Sequence, residues 1–283
     1  MANKNHRIRG VYCVYAIDFE YDGERLSDYG MMIGFMNHSE DGSVSSGGEI
    51  KFNQVKSKVS NKFHIASSSY EECYTTTIEI FKNPCLNDDD NMYLSPTLVS
   101  QLQRWLSQKQ YKRFKIIQDD YIDIYWQSTF SCKQIMVGGR IIGLELTMYT
   151  DHPYAFNNEI EIEYDCSNND TFEVYNLSDE IGLIYPEFEI TFSENCEEFN
   201  LVNVSDNDRK TTIYNCVNNE TVFFSGDTKI FSSINGLHSS IPNDFNYIFP
   251  RITNDYYNRN NIFKVNAACN IKITYSPIKK VGL

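Results

Sequence analysis

The feature that most constrains this fold is an alternation of apolar and polar residues that recurs in short runs along most of the chain. Residues 160–164, 188–192 and 271–275 each place apolar side chains at every second position, with Glu, Thr or Lys between them. A β-strand turns successive side chains to opposite faces, so each run predicts a strand with one buried and one solvated face. Runs that recur about every 8–12 residues between Asn, Asp, Gly and Ser predict an antiparallel β-sandwich in the second half of the chain.

The remaining short apolar runs extend this prediction over both halves of the chain. In the second half they predict strands at 198–204, 210–216, 221–224, 229–232, 245–249 and 262–265. In the first half they predict strands at 11–19, 29–36, 75–81, 114–117, 122–130 and 141–149. An Asp-Gly turn follows Tyr21, a polar loop covers 37–48, and residues 49–65 predict a projecting hairpin. The chain is therefore predicted to be mainly β.

One segment has helical spacing instead. Ser95 can cap the free backbone amides of a helix, and Pro96 suits the first helical position, where no amide is needed. The apolar residues that follow at intervals of four, three and one form a single stripe: Leu98, Leu102, Trp105 and Leu106. We expect this helix to end near Gln110 and the first half to be a β-rich domain with one helix.

The charge of the chain is divided unevenly between its halves. The 283 residues carry a formal net charge of −13. Residues 1–150 hold 16 Lys or Arg against 18 Asp or Glu, a net charge of −2, whereas residues 151–283 hold 9 against 20, a net charge of −11. The charge change coincides with a break in the strand pattern at 150–153, so we predict two domains, 1–152 and 153–283.

Composition excludes several classes of function. The acidity of the chain argues against a dedicated nucleic-acid-binding protein, which would need a basic face. The sequence contains no run of 18 apolar residues, so we predict no membrane span. The eight cysteines are scattered without a CxxC pair, which is typical of reduced, buried thiols and not of zinc ligands.

Residues that could support catalysis or bind metal fit simpler explanations. Glu187 and Glu189 share a strand face and could act as paired carboxylates, but their apolar neighbours alternate with them, which favours the solvated side of a sheet. The acidic run 87–91 lacks the Gly and Glu of an EF-hand loop, the histidines are isolated, and no nucleophile or phosphate-loop motif occurs. We therefore predict no enzyme, no cofactor and no metal. Two classes stay open: a structural assembly subunit, and a carbohydrate-binding module on a β-sandwich.

The order of the segments resembles the distal tail (Dit) proteins of long-tailed bacteriophages. Residues 19–23 and 26–33, with their Gly turn and Ser-Asp-Tyr-Gly return, resemble the first strands of the belt domain of that family. The helix at Ser95 and the run 141–156 resemble its helix and its exit strand. The second half is similar to the galectin-like domain of the family, carried by these segments: 185–190, 201–206, 219–222, 229–232, 244–246, 260–263 and 271–275. It departs from the family at 258–261, where a tight Gly-x-Asn turn is usual.

The resemblance implies both a fold and a role. Residues 1–152 would be a ring-forming belt domain and residues 153–283 a galectin-like β-sandwich. The protein would form a hexameric ring in the virion at the tail tip or baseplate, after synthesis in the host bacterial cytoplasm. Its partners would be the tail tube protein, the tail-associated hub protein and receptor-binding or baseplate proteins. DNA and the tape measure would pass through the lumen without specific binding, so we expect a lumen lined by neutral or acidic side chains.

We expect the arm at 37–65, which contains the projecting hairpin, and the strand at 122–130 to reach neighbouring subunits in the ring. The motives are a long hairpin and more aromatic residues than one small core requires. The candidate residues for the ring interface are Phe52, Phe63, Tyr121, Tyr125 and Trp126. For the carbohydrate-binding alternative, Tyr121, Tyr125 and Trp126 could stack on a sugar ring, although aromatic residues in strands are more often core or subunit interface.

Overall fold

The computed structural model describes residues 16–34, 47–87, 91–238, 240–255 and 257–283. Three predicted features lie wholly or largely outside these residues: the start of the first strand at 11–15, the polar loop at 37–46 and the acidic turn at 88–90. The chain divides into two compact units, which we describe separately. Unit 1 comprises Met1–Phe156 and Lys280–Leu283, and unit 2 comprises Asn157–Lys279.

Unit 1 is built mainly from antiparallel strands and contains the helix. Its elements are β1 Phe19–Tyr21, β2 Glu24–Arg25, β3 Met31–Gly34, β4 Ile50–Lys56, β5 Phe63–Tyr70, β6 Thr75–Lys82, α1 Pro96–Leu106, β7 Lys112–Ile116, β8 Ile124–Val137 and β9 Arg140–Thr150, and β10 Ala155–Asn157 lies at its boundary. The main sheet has the order β2-β1-β7-β8-β9-β6-β3, and β4 and β5 form a sheet of their own. The turn from β1 to β2 has positive φ angles at Asp22 and Gly23, as the Asp-Gly signal predicts.

The predicted helix is confirmed, and it covers one face of the main sheet. The Ser95 hydroxyl accepts a hydrogen bond from the Leu98 amide at 3.2 Å, and Pro96 is the first helical residue. Trp105 packs on the aromatic core, with its ring 4.7 Å from that of Tyr29, and donates a hydrogen bond to the Tyr21 carbonyl oxygen at 3.0 Å. The helix ends at Leu106, four residues before the predicted end, because the buried stripe has no member beyond Leu106.

Unit 2 is an antiparallel sandwich. Its strands are β11 Ile160–Cys166, β12 Thr171–Tyr175, β13 Gly182–Ile184, β14 Glu187–Phe192, β15 Cys196–Asn203, β16 Arg209–Cys216, β17 Thr221–Phe224, β18 Phe231–Ser233, β19 Ile252–Asn254, β20 Asn260–Val265, β21 Cys269–Tyr275 and β22 Ile278–Lys279. One sheet has the order β11-β21-β14-β17-β18 and the other β12-β20-β15-β16. Phe188 of the first sheet meets Phe263 of the second at 5.9 Å, and Phe192 meets Phe199 at 5.0 Å. The predicted mainly β fold, with one helix in the first domain and a sandwich in the second, is confirmed.

One predicted strand of unit 2 is wrong. Residues 245–249 form a loop whose one ladder contact is the bridge from Phe245 to Ile213. Tyr247 has a positive φ of 58°, and the Asn246 side chain accepts a hydrogen bond from the Ile248 amide at 3.1 Å. These local bonds replace strand pairing, while Phe245 is buried in the core.

Buried asparagines link the strands at one part of unit 2. The Asn261 side chain is fully buried, and its oxygen accepts hydrogen bonds from the Thr253 amide at 2.7 Å and from Asn203 Nδ2 at 3.0 Å. Its nitrogen donates to the Thr253 carbonyl at 2.9 Å. Because each of these polar groups has a partner, the network fixes the strands without leaving an unsatisfied buried amide.

The predicted buried state of the cysteines holds for part of the set. Cys166, Cys216 and Cys269 are buried, but Cys73 and Cys85 are exposed, so the prediction is wrong for these two. All seven described cysteines are free thiols, and Cys13 lies outside the described residues. Within the described ranges, no helix combines the length and the apolar character that crossing a membrane requires.

We expect Ser95→Ala to destabilise unit 1 by about 1 kcal/mol, because the Leu98 amide loses its cap. The midpoint of urea unfolding, followed by circular dichroism, measures this effect. Ser100→Ala is the matched control: Ser100 is exposed inside the same helix, where Ala has the higher helix propensity, so its midpoint should stay unchanged or rise slightly. Equal losses in both variants would contradict the capping role.

Candidate assembly surface

The hairpin of β4 and β5 is the most unusual surface of unit 1. Seven register pairs join the two strands, from Ile50 with Tyr70 to Lys56 with Phe63. Among the described strands, β4 and β5 pair only with each other. Every residue of the two strands is exposed except Ile50 and Tyr70 at the base, which are half-buried. The hairpin therefore projects, as the sequence predicts, and the described residues of unit 1 do not cover it.

Both faces of this hairpin carry exposed apolar side chains, and three of these side chains share one face with Gln54 and Lys56. Gln54 pairs with Ile65, Lys56 pairs with Phe63, and the register shifts after Asn53. Because side chains along β4 alternate in direction, Phe52 lies on the same face as Phe63 and Ile65. These three side chains are 52%, 59% and 61% exposed. We call this face, defined by Phe52, Phe63 and Ile65, the hairpin apolar face.

The base of the hairpin is held in place. The Gly48 amide donates a hydrogen bond to the Pro153 carbonyl oxygen at 2.6 Å, and a Cβ at Gly48 would come within 2.4 Å of the Pro153 ring. The Tyr70 ring meets the Tyr154 ring edge-on at 6.1 Å. The hairpin is thus attached at its base, while its apolar face is open.

An isolated two-stranded hairpin is at best marginally stable in water, and exposed apolar patches on soluble proteins mark interaction sites. Another polypeptide packed on the hairpin apolar face would both stabilise the hairpin and cover the exposed apolar patch. The candidate occupants are another protein chain or a second copy of this one. The geometry therefore supports association with another chain.

The structure separates the five predicted interface residues by exposure. Phe52 and Phe63 lie on the hairpin apolar face, whereas Tyr121, Tyr125 and Trp126 are only 5%, 9% and 0% exposed. The sequence-based prediction did not include Ile65, although Ile65 lies two residues after Phe63 in a strand and therefore shares its face.

The three buried aromatics pack inside their own subunit. The Tyr121 ring stacks on Trp126 at 6.2 Å, and its hydroxyl donates to the Gly282 carbonyl oxygen at 3.1 Å. The Arg113 guanidinium lies 4.1 Å from the centre of the Tyr125 ring. We therefore propose that they support strand β8 from within and that Phe52 and Phe63 make the contacts to neighbours.

A second notable surface lies on the solvent face of the sheet that contains β11, β21, β14 and β17. It is a cavity of about 200 Å³, lined by Glu159, Glu161, Glu187, Glu189, Phe223, Lys272 and Thr274. Lys272 forms an ion pair with Glu161 at 2.6 Å. Partial burial, and then the charges of Glu159 and Asp227, raise the pKa of Glu187. Glu187 and Glu189 thus lie on the solvated side of the sheet, as the alternation predicts.

His238 is not isolated, which corrects the sequence prediction. Its Nδ1 lies 3.0 Å from Glu220 Oε1 and its Nε2 lies 3.0 Å from Asp244 Oδ2. The side chains of His238 and Glu220 are buried. Both ring nitrogens of His238 therefore lie within hydrogen-bond distance of a carboxyl oxygen. The contact with Glu220 ties the loop that holds His238 to the start of β17, and the contact with Asp244 lies within that loop. Among the described residues, this cluster included, no group of three or more His, Cys, Asp or Glu is arranged to hold a metal ion.

Comparisons with known proteins cover nearly the whole chain. Residues 14–152 match the family model described as phage tail protein N-terminal domain, and residues 154–275 match the model described as phage tail C-terminal domain. No curated protein matches the chain.

Among solved structures, the fold is similar to that of the Dit protein of phage SPP1, described as a paradigm of the hub adsorption apparatus in phages that infect Gram-positive bacteria. The TM-score is 0.65 and the sequence identity 13%, over 92% of this chain and 98% of that chain. A chain of the phage p2 baseplate in its activated conformation with strontium has a TM-score of 0.43 and 7% identity, over 91% of this chain and 97% of that chain. The similarity to SPP1 Dit confirms the fold that the sequence resemblance implied.

We expect Glu187→Gln to stabilise unit 2 near pH 7. Because folding raises the pKa of Glu187, the folded state holds its proton more tightly than the unfolded state, so the charged carboxyl opposes folding above that pKa. Solvent screening at this exposed site limits the gain to about 0.5 kcal/mol, or a rise in Tm of about 1–2 °C. The gain should shrink as the pH is lowered towards 4.5, the ordinary pKa of the group.

Differential scanning calorimetry at several pH values measures this shift. Glu197→Gln, at an exposed position of β15, removes the same charge from the other sheet and should change Tm less. A lower Tm for Glu187→Gln at pH 7 would contradict the argument.

Proposed function

We propose that this chain, which belongs to the phage tail protein family whose N-terminal and C-terminal domain models it matches, forms a ring-shaped hub at the distal end of the tail tube. A structural role in the phage tail follows from the family, and the Dit fold agrees with it. The ring, its six subunits and its partners are our proposal. The number six comes from the resemblance to distal tail proteins.

The observation that carries the ring is the hairpin apolar face. Its three side chains each expose roughly half of about 200 Å², so together they offer about 300 Å² for burial, or about 7 kcal/mol before the entropy of association is subtracted. A stable interface buries about 800 Å² per partner, so further surface of unit 1 would join the contact. In a closed ring every subunit presents the same face to its neighbour, so no copy of the face is left open.

The charge of the hairpin agrees with a contact between subunits and not with a channel lining. Lys51, Lys56, Lys58 and Lys62 lie on the hairpin or its turn, where Glu49 is the only acidic residue between residues 49 and 65. Lys51 also forms an ion pair with Glu71, just beyond β5. A ring of such lysines in the lumen would retain DNA by releasing its counterions. We therefore place the hairpin between subunits and keep the expectation of a neutral or acidic lumen.

The other partners follow from the same proposal. The tail tube protein and the tail-associated hub protein would bind the two sides of the ring, and receptor-binding or baseplate proteins would bind unit 2. The protein would act in the virion, at the tail tip, as a structural part and not as an enzyme.

Carbohydrate binding by unit 2 stays an alternative prediction. Both tryptophans of the chain, Trp105 and Trp126, belong to unit 1 and are buried there, so neither offers a stacking surface for a sugar. Binding of the full-length protein on a glycan array, lost when exposed tyrosines of unit 2 are replaced, would favour this function.

The ring predicts a six-fold assembly of 32.9-kDa chains, about 197 kDa in total. Size-exclusion chromatography with light scattering measures the mass, and negative-stain microscopy shows whether the particle is a ring. A monomer at all concentrations, also in the presence of its tail tube protein, would contradict the proposal.

Replacing both Phe52 and Phe63 with Ser should abolish the assembly, because it removes most of the hairpin apolar face. The Tm of the separated chain should change by less than about 2 °C, since both side chains are already exposed. The matched control is Tyr257→Ser, which removes an aromatic side chain that is 91% exposed on unit 2. Loss of assembly in the control as well, or intact rings in the double variant, would refute the role of the hairpin.

A further inference from the structure

Four of the cysteines of unit 2 form two directly opposed pairs. Cys166 at the end of β11 is the register partner of Cys269 at the start of β21. Cys196 at the start of β15 is the register partner of Cys216 at the end of β16. The sequence separates the members of the first pair by 103 positions, so their pairing is visible only in the folded sheet.

The first pair meets the requirements for a covalent bond between strands. Directly opposed residues of an antiparallel pair have Cα atoms about 4.5–5.5 Å apart, within the range of about 4.4–6.8 Å that a disulfide spans. Both side chains point to the same face of the sheet, and their thiols are close enough to hydrogen-bond. Both residues are buried, with exposures of 5% for Cys166 and 0% for Cys269.

The second pair is less well placed. The Cys216 thiol donates a hydrogen bond to the Ile213 carbonyl oxygen at 3.7 Å, within its own strand. Asn215 beside it has a positive φ of 56°, and the ladder between β15 and β16 lacks the pair between these cysteines and the next one, Glu198 with Tyr214. This irregularity makes the second pair an internal comparison for the first.

We propose that Cys166 and Cys269 are a redox-active pair that forms a reversible disulfide across strands β11 and β21. The oxidant is a low-molecular-weight disulfide. The Cys166 thiolate attacks one sulfur of this disulfide and releases one small thiolate, and the Cys269 thiolate then attacks the mixed disulfide and releases the second. Two cysteine thiols are oxidised, two electrons reduce the small disulfide, and the two protons pass to the leaving thiolates.

Burial controls the rate of this reaction. It raises the pKa of Cys166 to about 11 and raises that of Cys269 further, so at neutral pH almost no thiolate is present. Cys166 is the less buried of the two, and it ends β11, an edge strand of its sheet. Fraying of this strand end admits the oxidant, which makes Cys166 the attacking thiol. The pair therefore stays reduced in a reducing compartment and oxidises slowly outside it.

The pairing geometry does not depend on the proposed function. The proposed function bears only on when the disulfide forms. A protein carried on a virion leaves the reducing cytosol in which it is made, so the bond would form after release from the cell. Once formed, the bond joins an edge strand to its neighbour and closes a loop of more than 100 residues, which restricts the unfolded chain. We expect it to raise the Tm of unit 2 by about 5 °C or more.

The test oxidises the full-length protein with oxidised glutathione at pH 7, 8 and 9, quenches it with acid and maps the linked peptides by mass spectrometry. Trypsin alone is insufficient, because no Lys or Arg lies between Arg140 and Arg209 and Cys166 stays in one peptide with Cys196. Additional cleavage after Glu separates these cysteines. We expect a Cys166–Cys269 link that forms about tenfold faster for each unit of pH and a higher Tm that dithiothreitol reverses.

Three variants make the outcome decisive. Cys166→Ala should lose both the link and the rise in Tm, whereas Cys216→Ala and the exposed-site control Cys73→Ala should keep both. The proposal would be overturned if the other cysteines were fully oxidised while Cys166 and Cys269 still reacted as free thiols after unfolding. A Cys196–Cys216 link in place of the Cys166–Cys269 link would also overturn it. Light scattering on the same samples reports assembly separately, so a failed disulfide and a failed ring are distinguishable.

Discussion

The structure depends on the fact that an antiparallel sheet with one apolar face must have that face covered. In unit 2 the two sheets cover each other, and in unit 1 the helix and the aromatic cluster around Trp105 cover the main sheet. The β4–β5 hairpin also exposes apolar side chains, and no described part of unit 1 covers them. The same rule that folds both units therefore leaves one surface that needs a neighbour.

The outer face of the unit 2 sandwich shows the other consequence of the alternation. Glutamates occupy the solvent positions of β11 and β14 around Lys272. Partial burial, and then the charges of Glu159 and Asp227, raise the pKa of Glu187 on this face. Such a face gains solubility from its net charge and loses a little stability to repulsion. The open apolar hairpin and the charged sandwich thus have opposite tendencies: the first favours association and the second keeps copies of the chain apart except where contact is specific.

Sequence patterns predicted the elements whose signal is local. Ser95 and Pro96 set the start of the helix, and Asp22 and Gly23 set the first turn, because each acts through its own backbone. The strand prediction failed at 245–249, where a loop places apolar side chains in the core. An apolar side chain can be buried without its backbone pairing in a β-sheet. The prediction of isolated histidines also failed for His238, whose partner Glu220 lies 18 residues away beside β17 and whose partner Asp244 lies in the same loop. The interface role of Trp126 stays a prediction, and its side chain is fully buried within unit 1.

The sequence by itself determined the mainly β class, the single helix, the two-domain division of charge and the family resemblance, because strand alternation, helix capping and charge are read from neighbours in the chain. Only the tertiary structure decided which apolar residues stay exposed and which cysteines meet. Phe52 and Trp126 are both aromatic residues in segments that the sequence predicts to be strands, yet Phe52 is half exposed and Trp126 has no exposed surface. Exposure and long-range pairing depend on which strands lie side by side, and that order is set by the packing of the whole unit and not by any local run of residues.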